Sequence, residues 1–496
     1  MNDKHLETFG KFELSNDKLV FGQLKLAGEA SRLELQDDTP FTKADIHNAF
    51  IHGTLNDFRK VTLLDCVQMG SSVKSRDKLS SHHASIVPHY VLLGDRHVHP
   101  EELAVNSVSF SIGDAWTLFH DFTAFGSDRN AKQHIAEVAG IGKEGKEGKE
   151  GKTTLAGDDP RIVYFTGKTT IADVSTVNGN VCVKHCPGWD MGGAHGIRID
   201  NTIFISITFE TLLTVKMATQ RLIQLLRFLE LVIGRAQELT NVFLQLGEAG
   251  SRPLEFRWTF PPSRQVQGGR IPQSFDVLLN PISEPDIFAK VMQNWLASDK
   301  ERRDARSRFL TSFRNQNEYG TDRLIRAANM FDILPASAFP VDIELSPDVI
   351  EAKRQCREIF RKLPTSLERE AMLNALGRIG KPSLKHKVLS RGRFLIGGMS
   401  DTFPELEMVL EAAVDCRNHY VHGSPQKIDY RQKSDTTGFL TDALEFVFVV
   451  SDLNDMGWNP YKYINKYTTM SHTLGAFRVD YAERLDSLKL LTAKGL

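Results

Sequence analysis

The spacing of apolar residues changes once along the 496-residue chain, and this change constrains the fold more than any other feature. Before about residue 260, apolar residues come in short alternating runs such as 18–26 (KLVFGQLKL) and 107–112 (SVSFSI). Runs of this kind, separated by turn-forming residues, predict β-strands. After residue 285 the apolar residues recur at three- and four-residue steps, which predicts helices. The chain is therefore predicted to be an α+β multidomain protein.

Two domains and a linker follow from this pattern. The N-terminal β-rich domain is predicted to cover residues 1–262, with one long helix near 211–234. Within it, residues 142–152 (GKEGKEGKEGK) offer no apolar side chain to bury and are predicted to form a flexible loop. Residues 263–285 are rich in Pro and Gly and are predicted to be a linker. The all-α domain is predicted to cover 286–496.

This all-α domain is expected to be a helical bundle of five to seven helices. The patterned segments are 286–297, 322–334, 347–362, 367–376, 404–421 and 439–452. The third of these begins with a serine N-cap at Ser346 and a proline at its first helical position, Pro347.

The composition excludes several classes of protein. Lys and Arg total 61 and Asp and Glu total 62, so any contact with nucleic acid requires a local basic patch. The most apolar long stretch, 215–234, carries charged residues throughout and predicts no membrane span. Five cysteines without a paired pattern, and a polar start without a secretory signal, predict a soluble cytoplasmic protein without disulfides.

Residues 416–424 (CRNHYVHGS) end a strongly patterned helix and concentrate polar side chains. Leu406, Leu410, Ala413 and Tyr420 form the apolar stripe of that helix, at three- and four-residue steps with one gap. Gly423 is expected to end the helix, because glycine readily adopts the left-handed conformation that follows a last helical turn. The question raised by the segment is whether it is catalytic or only a polar helix end.

The spacing of Arg417 and His422 decides nothing by itself, because Arg129 and His134 share the same spacing in the β-rich half. The second pair follows a turn-forming segment, 125–128 (FGSD), and is expected to lie on a surface without a catalytic role. The first pair closes a core-forming helix, and that context makes it the candidate site.

Helical geometry limits which of these side chains can meet. Asn418 and His422 are four residues apart and share a face, and Asp415 can join them. Arg417 lies about 140° around the helix from His422. The reach of the arginine, a loosened last turn or a second copy of the chain could bring the two together. This geometry favours a composite, dimeric site.

The residue types suit chemistry at a phosphate. A histidine such as His422 exchanges protons near neutral pH and can act as a general base or acid. The guanidinium of Arg417 can stabilise negative charge developing on a phosphate, and the amide of Asn418 can orient either partner. His419 and Asp415 are possible accessory residues. Cys416 is expected to pack as a small apolar side chain.

The helical half resembles the HEPN superfamily, whose α-helical domains carry an arginine, a polar residue and a histidine at this kind of spacing. Arg417, Asn418 and His422 match that motif. The N-terminal half resembles the N-terminal domain of ApeA-type anti-phage proteins, and the two likenesses together span residues 8–460. The residues that carry this second likeness are Gly94-Asp95-Arg96-His97, Glu101-Glu102-Leu103, Phe110, Ala115-Trp116 and the helix near 222–234.

The resemblance implies a metal-independent endoribonuclease of abortive anti-phage defence, without a cofactor. It implies cleavage by attack of the RNA 2′-hydroxyl, in a homodimer or higher even oligomer. The β-rich domain would sense or regulate, with a phage-derived component as trigger, and tRNA is one candidate among RNA substrates. The alternative is a non-catalytic HEPN module that binds RNA or a partner protein.

An RNA substrate also needs a basic surface. The best segment in the helical half is 381–393 (KPSLKHKVLSRGR). Its candidate RNA-binding residues are Lys381, Lys385, Lys387, Arg391 and Arg393. A denser charged segment, 301–308 (ERRDARSR), also contains acidic residues and is expected to be a solvated helix face.

Two histidine-rich segments raise the alternative of a metal site. His97 and His99 would share one face of a strand, and three further histidines precede them at His82, His83 and His89. A second weak cluster consists of Cys182, His185, Cys186 and His195. Neither spacing is that of a zinc finger or a four-cysteine site, so no metal is predicted.

Overall fold

The computed structural model describes residues 5–14, 18–41, 50–76, 79–129, 131–132, 134–135, 161–190, 194, 196, 198–264, 271–313, 318–339, 345–425 and 434–494. The loop predicted at 142–152 lies outside these residues. The chain divides into two compact units. The β-rich unit consists of Met1–Leu226, Gln237–Arg264 and Leu279–Ala289. The helical unit consists of Arg227–Ala236, Gln265–Leu278 and Lys290–Leu496.

The β-rich unit is built mainly on antiparallel pairing, as expected from its alternating runs. Its strands are β1 (Leu6–Glu13), β2 (Leu19–Leu26), β3 (Arg32–Asp37), β4 (Phe50–Leu55), β5 (Lys60–Arg76), β6 (Leu79–Gly94), β7 (Val105–Ile112), β8 (Phe125–Asp128), β9 (Ile162–Phe165), β10 (Thr170–Thr176), β11 (Gly179–Asp190), β12 (Arg198–Leu213), β13 (Leu239–Leu246) and β14 (Leu254–Trp258). Twelve of them form one sheet in the order β10-β11-β12-β7-β13-β14-β6-β3-β2-β1-β4-β5, while β8 pairs with β9.

Six strands of this sheet close into a ring, because β5 pairs with β6 as well as with β4. Inward-facing side chains such as Phe12, Leu24 and Ile86 fill the ring and are fully buried. Gly53 lies against the ring of Phe12, and a Cβ atom at Gly53 would be 2.5 Å from the phenyl Cδ1. The alternating sequence therefore buries one face of each strand in a single apolar core.

The helices lie mostly in the second half of the chain. They are α1 (Ala115–Leu118), α2 (Val215–Ile233), α3 (Pro285–Ala297), α4 (Asp299–Ser312), α5 (Thr321–Asp332), α6 (Pro347–Arg361), α7 (Leu367–Arg378), α8 (Leu384–Gly398), α9 (Leu406–His422), α10 (Ser434–Asp455), α11 (Pro460–Ile464) and α12 (Thr473–Lys494). The predicted α+β class, with a β-rich part carrying one long helix and an all-α part, is confirmed.

The number of helices exceeds the five to seven expected, because α8, α11 and α12 were not predicted. In α8 a charged residue, Arg391, occupies a buried position where the apolar pattern requires an aliphatic side chain. The predicted cap of α6 is present, since the Ser346 hydroxyl accepts a hydrogen bond from the backbone N–H of Val349 at 3.4 Å.

Helix α10 lies at the centre of the helical unit and packs against α5, α8, α9 and α12. Its apolar side chains are buried almost continuously from Phe439 to Val450. Helix α5 packs in turn against α4, α8 and α9. This arrangement places the C-terminal turns of α5 beside α9, the helix that carries the Arg-to-His motif.

Candidate active site

Helix α9 ends where the sequence predicted. Gly423 adopts the left-handed conformation, with φ of 66°, and its backbone N–H donates to the carbonyl oxygen of His419 at 3.0 Å. The ring of His419 donates through Nδ1 to the carbonyl oxygen of Ser424 at 2.8 Å. His419 therefore stabilises the chain that follows the helix. His422, in the last turn, is exposed.

Arg417 and His422 meet within one chain. Arg417 Nη1 donates to His422 Nε2 at 3.0 Å, although α9 remains helical through both residues. Of the alternatives left open by the 140° separation, the reach of the arginine side chain is the one observed. Because Nε2 accepts this hydrogen bond, it carries no proton, and the proton of the neutral imidazole is on Nδ1.

The partners of Arg417 are all neutral. Besides His422, its guanidinium donates to Oδ1 of Asn418 at 3.1 Å and to Oδ1 of Asn329 at 3.0 Å. Within the described part of the chain, no carboxylate forms an ion pair with Arg417. Since a guanidinium remains protonated in proteins, the charge of Arg417 stays available to an anion.

Asn329 was not predicted as a site residue. It lies in α5, 88 positions before Arg417 in sequence, and is half-buried. The one sequence signal is a polar side chain interrupting the otherwise apolar run AANMF, residues 327–331. That signal identifies a polar group near a core without indicating which element it faces.

The two accessory candidates differ in their positions. His419 has a structural contact to the chain that follows the helix, as described above. Asp415 is half-buried one turn before Asn418, and the hydrogen bonds that hold Arg417 do not include it. Cys416 is fully buried, and burial raises the pKa of its thiol to about 12, which keeps the thiol protonated.

The predicted basic segment does not form one surface. Arg391 is buried and donates to Asp455 at 2.7 Å, so the prediction that it binds RNA is wrong. Lys385 pairs with Glu411 at 2.8 Å, and Lys387 donates to Asp332 at 3.2 Å. Lys381 and Arg393 are exposed, and their predicted contact with RNA remains a prediction.

The charged segment 301–308 is also only partly solvated, contrary to expectation. Arg302 and Arg306 are buried and donate to the two carboxylate oxygens of Asp452, at 2.7 and 2.8 Å. Asp455 accepts from both Arg302 and Arg391. Three buried arginines, the buried Asp452 and the exposed Asp455 thus form an ion-pair network that joins α4, α8 and α10.

The described residues contain no group of three or more His, Cys, Asp or Glu side chains arranged to hold a metal ion. His97 lies in a loop and donates through Nε2 to the carbonyl oxygen of Gly53 at 2.8 Å, while its ring stacks on His52. In the second cluster, His185 is buried and accepts from Asn201 at 2.9 Å. His195 lies outside the described residues.

The second Arg-to-His pair has a different environment. Arg129 is exposed, and His134 contacts Asp128 at 2.9 Å, whereas Asn130 lies outside the described residues. Arg129 therefore offers a matched control for Arg417. Among the helices of the described residues, none is both long and apolar enough to cross a membrane.

Fold and site together define a class of protein: a β-rich unit joined to a helical unit with an Arg-Asn-x3-His helix end. Family models match both parts, ApeA N-terminal domain 1 over residues 7–295 and Apea-like HEPN over residues 325–461. Because the first match alone covers more than half of the chain, the chain belongs to the ApeA family. The second match includes α9 and Asn329. The resemblance to ApeA-type proteins with a C-terminal HEPN domain is therefore confirmed.

Comparison with curated proteins and with solved structures gave no significant match. The Apea-like HEPN match supports a nuclease-type defence protein.

Proposed function

We propose that this protein is a metal-independent endoribonuclease of abortive anti-phage defence, with its active site at the end of α9. One observation carries the proposal. Arg417 is held by neutral acceptors beside an exposed histidine, so a positive charge and a proton acceptor lie 3.0 Å apart at the surface. A phosphodiester with a neighbouring hydroxyl is the substrate that uses both groups.

The reaction would proceed by transfer within the RNA. The 2′-oxygen attacks the adjacent phosphorus, and the bond from phosphorus to the 5′-oxygen of the next nucleotide breaks. The products are a 2′,3′-cyclic phosphate and a 5′-hydroxyl. The proton lost by the 2′-hydroxyl goes to a base, and an acid protonates the departing 5′-oxygen.

His422 is the proposed base, through Nε2. In the structure this nitrogen accepts from Arg417, so its lone pair is occupied. A phosphate oxygen of the substrate could accept the hydrogen bond from Arg417 Nη1 in place of His422, which would free Nε2 to accept a proton. The charge of Arg417 would then lie beside the phosphate, where negative charge develops. Asn418 would orient the guanidinium through its side-chain oxygen.

One copy of the site does not supply a separate general acid to protonate the departing 5′-oxygen. His419 is occupied with the carbonyl oxygen of Ser424, which leaves His422 as the proton-exchanging group of the cluster. In a homodimer or higher even oligomer, the His422 of a second copy would supply the proton. This need supports the composite site expected from the sequence.

The β-rich unit is proposed to sense a phage-derived component and to regulate cleavage. The substrate is RNA, with tRNA as the first candidate to test, and the site would act in the cytoplasm.

The test compares wild type with Arg417→Ala and His422→Ala on tRNA and on a generic RNA, in excess chelator. Arg129→Ala is the control, because it removes an exposed arginine with the same spacing to a histidine. We expect wild type and the control to leave cyclic phosphate ends. Each motif variant should lower the rate at least about 10²-fold.

If nothing is cut, the assay is repeated with lysate of phage-infected cells, which would supply a trigger. Cleavage by both motif variants at the wild-type rate, or no cleavage in lysate, would exclude the ribonuclease and favour the RNA- or protein-binding module.

A further inference from the structure

One contact of the site comes from a different helix. Asn329 Oδ1, in α5, accepts a hydrogen bond from Arg417 Nη2 at 3.0 Å. The other two partners of the guanidinium, Asn418 and His422, belong to α9 itself. Residues on either side of Asn329 are buried, so the position of its side chain is set by the packing of α5.

This contact restricts a side chain that is otherwise flexible. A guanidinium is planar and presents its N–H groups in a fixed fork, so two nitrogens held from two directions define its plane. Asn418 and His422 hold Nη1, and Asn329 holds Nη2. Without Asn329, the guanidinium could rotate about its contacts on α9.

The neutrality of Asn329 matters as much as its position. A carboxylate at the same place would accept the same hydrogen bond, as Asp452 does for Arg306. It would also neutralise the cation, as in any close ion pair. An asparagine fixes the guanidinium and leaves its charge for an anion.

We infer that Asn329 is a positioning residue of the active site: it holds the Arg417 guanidinium beside His422 while leaving its positive charge uncompensated. This inference rests on the proposed function. It adds α5 to the functional site and assigns Asn329 to orientation of the phosphate-binding group, without direct contact with the reacting atoms.

Two substitutions separate positioning from packing. Asn329→Leu retains the size of the side chain and removes the acceptor. Asn329→Asp retains an acceptor oxygen and adds a negative charge. The measurements are the single-turnover cleavage rate at saturating RNA and the affinity for the same RNA with a 2′-deoxy substitution at the cut site, which blocks the attack.

For Asn329→Leu we expect a rate about 10²-fold lower with affinity changed less than about threefold, because orientation is lost and charge is kept. For Asn329→Asp we expect both rate and affinity to fall, because the new carboxylate competes with the phosphate for Arg417. A packing role alone predicts that Asn329→Asp cuts like wild type, and that result would overturn the inference.

Asn294→Leu is the matched control. Asn294 lies in α3 and donates from Nδ2 to the carbonyl oxygen of Met456 at 2.9 Å, so the same substitution removes one side-chain hydrogen bond away from α9. It should leave the cleavage rate per folded molecule unchanged. In an Arg417→Lys background, Asn329→Leu should cost much less than in wild type, because both act on one group.

A second readout needs no cleavage. The ¹⁵N resonances of His422, assigned with a His422→Gln variant, report which ring nitrogen carries the proton. In wild type, Nε2 should be the unprotonated nitrogen of the neutral ring, as the Arg417 contact requires. Asn329→Leu and Arg417→Ala should both shift the ring towards a mixture of tautomers.

The outcomes distinguish the two proposals. If Arg417→Ala changes the His422 resonances and Asn329→Leu leaves them as in wild type, the positioning role is wrong. If Asn329→Leu changes them while the Arg417 and His422 variants cut RNA like wild type, Asn329 does orient Arg417 and the ribonuclease proposal fails.

Discussion

Two groups of arginines in the helical unit show how the same side chain serves folding in one place and binding in another. Arg302, Arg306 and Arg391 are buried, and each donates to an aspartate. Arg417 lies at the end of α9 and donates to neutral acceptors. The difference is in the partner: a carboxylate cancels the charge, whereas an amide or imidazole leaves it for a ligand.

Burial explains why the first group needs carboxylates. An isolated charge away from water is strongly destabilised, so a buried arginine requires a counter-charge with good hydrogen bonds. Burial alone would raise the pKa of Asp452, but Arg306 and Arg302 outweigh it and hold that pKa below its ordinary value. Near the exposed end of α9 the solvent stabilises the cation, and no carboxylate is needed.

Removing the counter-charge should have the largest effect. Asp452→Asn would leave Arg306 buried without a carboxylate partner and Arg302 with Asp455 alone, and we expect a loss of about 3–5 kcal/mol in the free energy of unfolding. Urea unfolding followed by circular dichroism measures this. Glu351→Gln, which breaks an exposed ion pair with Arg354, is the control and should leave the unfolding midpoint unchanged. Equal midpoints for the two variants would contradict the role of Asp452 as a buried counter-charge.

The second test uses His472, a buried histidine. Within the described structure, no carboxylate forms an ion pair with its ring. Its ring donates to the carbonyl oxygen of Leu231 at 3.1 Å and accepts from the N–H of Leu474 at 3.2 Å. Burial lowers the pKa of His472 to about 4, and the contact with Leu231 and the charge of Asp276 offset this only in part.

The unfolded chain binds this proton at about pH 6.5 and the folded chain only at about pH 4. The free energy of unfolding is therefore not lowered by His472 above pH 6.5. It should decrease by about 3 kcal/mol as the pH falls to 4. His472→Gln should remove that part of the pH dependence, as measured by urea unfolding across this range. An unchanged acid slope in the variant would show that other groups cause it.

The third test gives Arg417 a carboxylate partner, as the buried arginines have. Asn418→Asp places a carboxylate next to Arg417, and we expect the cleavage rate to fall about 10²-fold because the cation is neutralised. The melting temperature should stay the same or rise. Full activity in this variant would show that the uncompensated charge is unimportant.

The smallest effect is expected at the surface of α8. Lys385→Ala breaks an exposed pair with Glu411 and should change the free energy of unfolding by less than about 1 kcal/mol after allowance for solvent screening. Binding to the 2′-deoxy-substituted RNA distinguishes Lys385 from Arg393. A larger loss of affinity for Arg393→Ala would place the RNA path on the exposed side of this helix.

Much of the architecture was predictable because local patterns directly encode it. Alternation in segments such as 107–112 predicted strands, and the αL glycine at Gly423 predicted the end of α9. The closed ring of strands was not predictable, since it depends on the pairing of β3 with β6 and of β1 with β4, strands that are far apart in sequence and that periodicity does not connect.

The site shows the same division. The sequence by itself determined Arg417, Asn418 and His422 as candidate residues, because their types, their spacing and the helix end are local properties. Only the tertiary structure decided that Arg417 reaches His422, that Arg391 is buried with Asp455, and that Asn329 joins the site from α5. The physical reason is that charge and hydrogen-bonding partners depend on which helices pack together, and helix packing brings together residues far apart in the chain.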